Sequence, residues 1–218
     1  MNRYIFTTLI IITGILSLNS QGLPAFYGLN TGIGGNFFPD KYSLNSNKLI
    51  NWSLDGYYGK QFNDRLSYIG KLELSGNGYK VDINGGWTGG TYSYTGIDNH
   101  YSATIYALLR DNLESKTWFL DVGIYYSRMI VRDIYNDLEV NGTIIPEFDP
   151  YQYLRYFDDY DFKKNDAGFI VGLGKEIVLN EKLSIPIEIS FQKGFLKILD
   201  IKQRNLFFFD VGLKWYIK

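Results

Sequence analysis

The sequence predicts an all-β fold, an eight-stranded antiparallel up-and-down barrel. Apolar and polar residues alternate in separate segments, which is typical of strands with two different faces. The connections between these segments alternate between short and long. The more polar parity of the strands is rich in glycine, which suits the crowded interior of a narrow barrel.

Eight segments show the alternation. It is clear at the end of the chain, LFFFDVGLKWYIK, where Phe209, Val211 and Leu213 share one parity with Trp215 and Ile217. The other parity of that stretch carries polar and small residues. The apolar parities of the eight segments run over residues 27–33, 52–58, 66–74, 101–109, 118–126, 169–173, 183–191 and 209–217.

The lengths of the connections indicate whether such a barrel lies in water or in a membrane. Short turns are predicted at residues 63–64, 111–116 and 180–182. Long connections are predicted at residues 37–48, 77–99, 130–166 and 193–203. With both chain ends on the short-turn side, all four long connections leave the opposite rim. Transmembrane barrels of the outer membrane show this asymmetry, with the longer loops at the cell surface.

The polar parity is predicted to point into the barrel. An eight-stranded barrel is only wide enough to be filled by side chains, so a large pore is disfavoured. Buried charges need partners, and we expect a polar plug of opposed charges. Its predicted members are Asp55, Lys71, Glu73, Asp121, Glu188, Asp210 and Lys214. Two features oppose this assignment. The apolar residues Ile69, Phe119 and Phe208 fall on the inward parity, and Pro186 lies within a predicted strand.

The N-terminus has the pattern of a secretory signal peptide. Arg3 precedes an apolar run over residues 5–18, and small or polar residues follow. The run is too short for a membrane helix, which needs about 20 apolar residues. We therefore expect a cleaved signal peptide at residues 1–21 and a mature barrel at residues 22–218.

The composition limits the classes of function. The chain has 218 residues, which is enough for one barrel domain, and a formal net charge of -1. Without a basic excess, nucleic acid is not an expected partner. The absence of cysteine excludes disulfides, thiolate metal sites and a cysteine nucleophile. We expect no cofactor.

The opening FYGLNTGIGGNFF and the closing FFFDVGLKWYIK, together with the signal peptide and eight strands, resemble small bacterial outer-membrane barrels of the OmpA-like and OmpX-like kind, the "outer membrane protein beta-barrel domain" proteins. The resemblance implies a place in the outer membrane, in contact with its lipid and with lipopolysaccharide. It also implies that the barrel-insertion machinery reads the last strand. Here Tyr216 is followed by Ile217 and Lys218, so the final aromatic residue is displaced.

One stretch suggests an enzyme as an alternative. His100 and Ser102 resemble part of the active-site motif of outer-membrane lipid A deacylases, in which an asparagine follows the serine; Ala103 stands there in this chain. Glu114 would complete a Ser/His/Glu set for ester hydrolysis. If residues 101–109 form a strand, however, His100 and Glu114 lie at opposite ends of it. We therefore expect no catalytic residue and a non-enzymatic protein.

The aromatic residues of the long connections are the predicted contact residues. Exposed tyrosine is a frequent contact residue, so a surface polysaccharide or a protein partner is expected there. The candidates are Trp87, Tyr92, Tyr94, Tyr151, Tyr153 and Tyr156. A soluble, lipocalin-like binding barrel is the remaining alternative, and it would require the apolar parity to face inward around a cavity.

Overall fold

The computed structural model describes residues 24–36, 45–48, 51–87, 90–113, 117–142, 164–199 and 202–217. The predicted signal peptide lies outside the described residues and stays a prediction. No helix among the described residues is long and apolar enough to cross a membrane. The strands are β1 (Ala25–Asn36), β2 (Asn45–Lys48), β3 (Asn51–Gln61), β4 (Leu66–Trp87), β5 (Gly90–Asn112), β6 (Trp118–Gly142), β7 (Asn165–Asn180), β8 (Leu183–Leu199) and β9 (Lys202–Ile217).

The sheet closes on itself, which confirms the predicted fold class. β1 pairs with both β3 and β9, and antiparallel pairs link β3 through β9 in sequence order. The closing pair runs from Ala25 opposite Ile217 to Asn36 opposite Leu206. β2 is an addition outside this ring, because its pairing among the described residues is with residues 79–82 of β4 alone. The barrel proper therefore has eight strands, β1 and β3 to β9.

The two parities of each strand face opposite environments. In β3, Trp52, Leu54 and Tyr58 are exposed, whereas Ser53 and Asp55 are buried. The contrast is large between neighbours, since Leu54 is 53% exposed and Asp55 is 2% exposed. The apolar parity forms the outer wall and the polar parity fills the interior. This is the reverse of the arrangement that a lipocalin-like binding barrel requires.

One rim of the barrel is formed by short turns, and we call it the turn rim. Asn63 begins the β3–β4 turn, and its side-chain oxygen accepts hydrogen bonds from the backbone N–H groups of Arg65 and Leu66 at 2.9 and 2.7 Å. Asn180 does the same for Lys182 in the β7–β8 turn at 2.9 Å. Asparagine favours such turns because its side chain replaces a backbone acceptor.

The opposite rim, which we call the hairpin rim, differs from the sequence prediction. Residues 77–87 and 90–99 were expected to be a connection, yet they continue β4 and β5. Their ladder runs from Asn77 opposite His100 to Trp87 opposite Gly90. Residues 130–142 and 193–199 likewise belong to β6 and β8, and residues 45–48 form β2. The neighbouring strand supplies backbone hydrogen bonds beyond the barrel, so these segments remain extended.

A four-stranded sheet therefore rises from the barrel, which we call the projecting sheet. It consists of β2 and residues 77–87, 90–101 and 131–142 of β4, β5 and β6. At about 3.4 Å per residue, its β4 strand extends about 35 Å past the closed part of the barrel. A register shift between Tyr101 and Ser102, where β5 pairs with β6, marks its base.

Proline within β8 interrupts one ladder and leaves the barrel closed. Ser184 pairs with Lys214 and Ile187 with Val211, while the two positions between them, including Pro186, are unpaired with β9. Proline has no N–H to donate, which accounts for the gap. On its other side Pro186 lies opposite Glu176 in the β7–β8 ladder. A single proline is therefore accommodated without loss of the strand.

Candidate functional site: interior, outer wall and projecting sheet

The structure places all seven charged residues of the predicted plug inside the barrel. Each is 8% exposed or less. They are Asp55, Lys71, Glu73, Asp121, Glu188, Asp210 and Lys214. Three charged residues that the sequence analysis missed, Arg110, Asp166 and Glu176, are buried there as well. The interior is therefore an ionic network whose partners are set by the pairing of the strands.

Lys71 forms ion pairs with two carboxylates at once. Its Nζ lies 2.8 Å from Asp55 Oδ2 and 3.5 Å from Glu73 Oε2. Asp55 and Glu73 stand directly opposite each other on β3 and β4, and like charges in that position destabilise a sheet. The ammonium also lies 5.0 Å from the centre of the Tyr106 ring. Lys71 thus offsets a repulsion that the strand register creates.

Arg110 forms the second ion pair. Its Nε and Nη2 donate hydrogen bonds to the two oxygens of Asp121 at 2.8 and 2.7 Å. The two residues face each other directly on β5 and β6. The guanidinium carbon lies 3.6 Å from the centre of the Phe119 ring. Bidentate arginine–carboxylate pairs are among the strong hydrogen-bonded contacts, and an aromatic face adds cation–π attraction.

Glu176 forms the third cluster, near the turn rim. Lys214 Nζ lies 2.8 Å from Glu176 Oε2. The hydroxyl groups of Ser184 and Tyr216 donate to the other oxygen of the same carboxylate. The Lys214 ammonium also lies 4.1 Å from the centre of the Phe26 ring. One buried carboxylate therefore holds together side chains of β7, β8 and β9.

Acids outnumber cations in the described part of the interior. Seven buried carboxyl side chains, including Asp166, face three buried cations, Lys71, Arg110 and Lys214. Hydroxyl groups donate hydrogen bonds to some of the remaining acids. Ser53 donates to Asp210 at 3.1 Å, and Tyr125 donates to Asp166 at 2.9 Å. Asp210 also stands directly opposite Glu188, so a second pair of like charges meets across the sheet.

Apolar and aromatic side chains fill the space between the ionic clusters. Tyr106 and Phe119 are each 1% exposed, and Ile69, Phe119 and Phe208, which seemed misplaced on the inward parity, are all buried. Tyr106 packs against Tyr125 with ring centres 5.9 Å apart and accepts a hydrogen bond from Gln192 at 2.9 Å. Such filling is what the small diameter of an eight-stranded barrel requires.

Inward glycines make room for these side chains. A Cβ atom at Gly174 would lie 2.2 Å from the Phe119 ring, and one at Gly172 would lie 1.9 Å from Glu188 Oε1. Both distances are far below van der Waals contact. The glycine-rich polar parity therefore reflects the close approach of a large side chain from the neighbouring strand.

The residues of the alternative hydrolase site are not assembled on the outer wall. Ser102 is buried with the inward parity, and His100 lies two residues along on the same face of β5. Glu114 lies outside the described residues. Among the described residues, no three His, Cys, Asp or Glu side chains are grouped so that they could hold a metal ion.

Aromatic residues border the apolar outer wall at two levels. Near the turn rim, Tyr27 stacks on Trp215 with ring centres 5.4 Å apart. Towards the hairpin rim, Trp52 lies 6.4 Å from Tyr101. Between them the wall carries aliphatic side chains such as Leu72, which is 57% exposed. Two aromatic girdles around an apolar band are the outward pattern of a membrane barrel.

The projecting sheet has two unlike faces. On β6, Asp133, Asp137 and Glu139 are exposed on the outer face. Ile134 and Leu138, on the face that continues the barrel interior, are half-buried. Of the predicted contact residues, Tyr92 is half-buried in β5, Trp87 ends β4, and Tyr94 lies in β5. Tyr151, Tyr153 and Tyr156 lie outside the described residues.

Comparison with known proteins finds similar folds at low identity. No protein-family model matches the sequence, and no curated protein matches it either. Among solved structures, Ail of Yersinia pestis in complex with the heparin analogue sucrose octasulfate has 11% identity over 89% of this chain and 99% of that chain, with a TM-score of 0.45. The outer membrane protein OprG of Pseudomonas aeruginosa has 11% identity over 89% and 97%, with a TM-score of 0.46. Neisserial surface protein A has 12% identity over 88% and 97%, with a TM-score of 0.41.

Proposed function

We propose that this chain is a bacterial outer-membrane protein whose barrel spans the membrane. The observation that supports this most is the inverted polarity of the fold, an apolar wall around a charged interior. In water, that wall would leave a continuous band of large apolar side chains exposed, far beyond the patches that soluble monomers carry. In a bilayer the same band faces acyl chains, and closure of the sheet leaves no free strand edge in the lipid.

We propose further that its role is structural or one of surface interaction, without catalysis. The filled interior favours an anchor over a channel. The inward position of Ser102 opposes a lipid-cleaving site on the wall. The projecting sheet and the segments around it would be the functional part, facing the cell surface. Their partners would be lipopolysaccharide and a surface polysaccharide or protein, and the barrel-insertion machinery would contact the chain during assembly.

The test is expression of the full chain in a Gram-negative host, followed by separation of the two membranes and electrophoresis with and without boiling. We expect the chain in the outer-membrane fraction, with a mobility that shifts on boiling, because closed barrels resist detergent until heated. A chain recovered in the soluble fraction would contradict the proposal. The same membranes should release no acyl chains from lipid A. Release that is lost in Ser102→Ala would show that the protein is an enzyme.

A further inference from the structure

We propose that the outer wall at the hairpin-rim ends of β6, β7 and β8 binds the phosphate groups of lipopolysaccharide through Arg128 and Lys193, with Lys164 at the adjoining rim. The inference rests on the proposed function, because it requires this wall to face the outer leaflet. It adds a specific lipid site to a wall whose membrane-facing surface is mainly apolar. We call these three residues and the phenylalanines beside them the cationic wall site.

Arg128 and Lys164 both lie where β7 begins. Arg128 is exposed on β6 and stands directly opposite Asn165, the first residue of β7. Lys164, also exposed, comes immediately before Asn165, and its backbone carbonyl accepts a hydrogen bond from Met129 N–H at 2.7 Å. The Tyr126 hydroxyl donates to Asn165 Oδ1 at 2.8 Å. The backbone at this edge of the barrel is therefore held in place beneath the two cations.

Lys193 is the third cation of the site. It is exposed on β8 and stands directly opposite Phe169 of β7. Phe169 follows Asn165 by four residues, about 13 Å along the strand, and adjacent strands are about 4.8 Å apart. The Cα atoms of Arg128 and Lys193 are thus about 16 Å apart by this geometry. Long side chains at that spacing can extend towards each other and bind two phosphate groups of one headgroup.

Phenylalanine rings line the wall beside these cations. Phe169 lies 5.7 Å from Phe195 and 6.5 Å from Phe191, and Phe191 lies 4.7 Å from Phe207, measured between ring centres. Phe195 and Phe207 are 57% and 40% exposed. The rings form a continuous apolar surface across β7, β8 and β9. Acyl chains would lie against it while the headgroup meets the cations.

The distribution of charge favours an anionic ligand. Between the aliphatic band and the projecting sheet, the described outward-facing charges of β6 to β9 are all positive. Asp166, Glu188 and Asp210 of β7, β8 and β9 are buried in the interior. The exposed acids of β6, Asp133, Asp137 and Glu139, lie further along the strand on the projecting sheet. Basic side chains at the bilayer surface attract anionic headgroups, and arginine binds phosphate in bidentate geometry. In the proposed orientation, this rim lies at the level of the outer-leaflet headgroups.

The experiment uses the full mature chain refolded in detergent and presented with purified lipid A, with retained lipid counted by native mass spectrometry. The test variant is R128Q/K193Q. The matched control is K60Q/K182Q, which removes two cations at the turn rim. Each protein is also presented with dephosphorylated lipid A and with phosphatidylglycerol. A mobility shift on boiling confirms that every variant is folded.

We expect wild type and K60Q/K182Q to retain lipid A, and R128Q/K193Q to retain it about tenfold more weakly, since charge-assisted hydrogen bonds are lost. Dephosphorylated lipid A should bind wild type as weakly as lipid A binds the test variant. Equal retention by both double variants would overturn the proposal. Preference for phosphatidylglycerol would also overturn it, because the site would then be a general anionic-lipid surface. A wild-type chain that fails to fold in detergent would overturn the membrane barrel itself, and the site with it.

Discussion

Arg110 of β5 and Asp121 of β6 face each other inside the barrel and share two hydrogen bonds, of 2.8 and 2.7 Å. Both side chains are almost fully buried, at 5% and 1% exposed. The pair ties two strands that leave the same turn, and the guanidinium rests on Phe119. Because each charge depends on the other for compensation, the pair gives the most direct prediction of stability.

Arg110→Met should destabilise the barrel by about 3–5 kcal/mol, because Asp121 would be left buried without its cation. The double variant R110M/D121L should recover much of that loss, since neither charge then remains. Urea unfolding in lipid vesicles, followed by tryptophan fluorescence, measures both. Arg65→Gln, which removes a cation from an exposed ion pair at the turn rim, is the control and should change stability little. A single variant as stable as wild type would show that the pair is not formed.

Gly174→Leu should destabilise the barrel by at least about 1–3 kcal/mol, because the new side chain would overlap the Phe119 ring. Gly70→Leu is the matched control. Gly70 faces outward on β4, and a Cβ atom there would meet nothing within 4 Å. The same unfolding measurement compares the two variants. Equal effects at both positions would mean that the inward parity has been assigned wrongly.

Leu72→Arg should cost about 2–4 kcal/mol in vesicles, because it places a charge in the middle of the apolar band. Leu66→Arg, close to the turn rim, should cost no more than about 1 kcal/mol, since its charge reaches the headgroup region. The free energy of unfolding of both variants is measured in vesicles of the same lipid. On a water-facing surface the two substitutions would have similar, small effects, and that result would argue against lipid around the wall.

The carboxyl group of Asp111 offers a test by titration. Its hydrogen bonds with Arg65, one of 2.9 Å, hold the pKa of Asp111 below its usual range. Because the folded-state pKa is lowered, the associated stabilisation is present above the unfolded pKa and is lost as the pH falls through the folded value. Carbon NMR of the carboxyl group in micelles should show the Asp111 pKa rising in Arg65→Gln. An unchanged pKa would show that the turn-rim ion pair is absent.

Strand parity made the faces of this barrel predictable from sequence. The period of two holds along a strand until a bulge interrupts it, so residues such as Lys71 and Asp121 could be placed inside before any pairing was known. The same argument placed Leu72 and Trp215 outside. Even Phe119 fell on the correct side, although its character suggested the other. Phe119 is inside because it contacts the Arg110 guanidinium and Gly174, and both of these residues belong to other strands.

Pairing could not be predicted in the same way. Arg110 and Glu176 were missed because each becomes significant only through a partner on another strand, and alternation within one strand carries no register. The extent of β4 and β5 was missed for a related reason. Tyr79, Val81 and Ile83 do share one parity there, but Gly85 and Gly86 interrupt the alternation and are typical of a loop. The strand persists there because β4 and β6 both pair with β5.

The most direct test of a lipid-facing wall uses two neighbours on β4, since the chain has no cysteine of its own. Leu74 is exposed on the outer wall and Ser75 is buried in the interior. Single variants Leu74→Cys and Ser75→Cys are refolded into vesicles and treated with a fluorescent thiol reagent. We predict that Leu74→Cys carries a label quenched by brominated acyl chains and not by aqueous iodide, while Ser75→Cys stays unlabelled until the barrel unfolds. A label at Leu74→Cys that iodide quenches and brominated lipid does not would contradict the account.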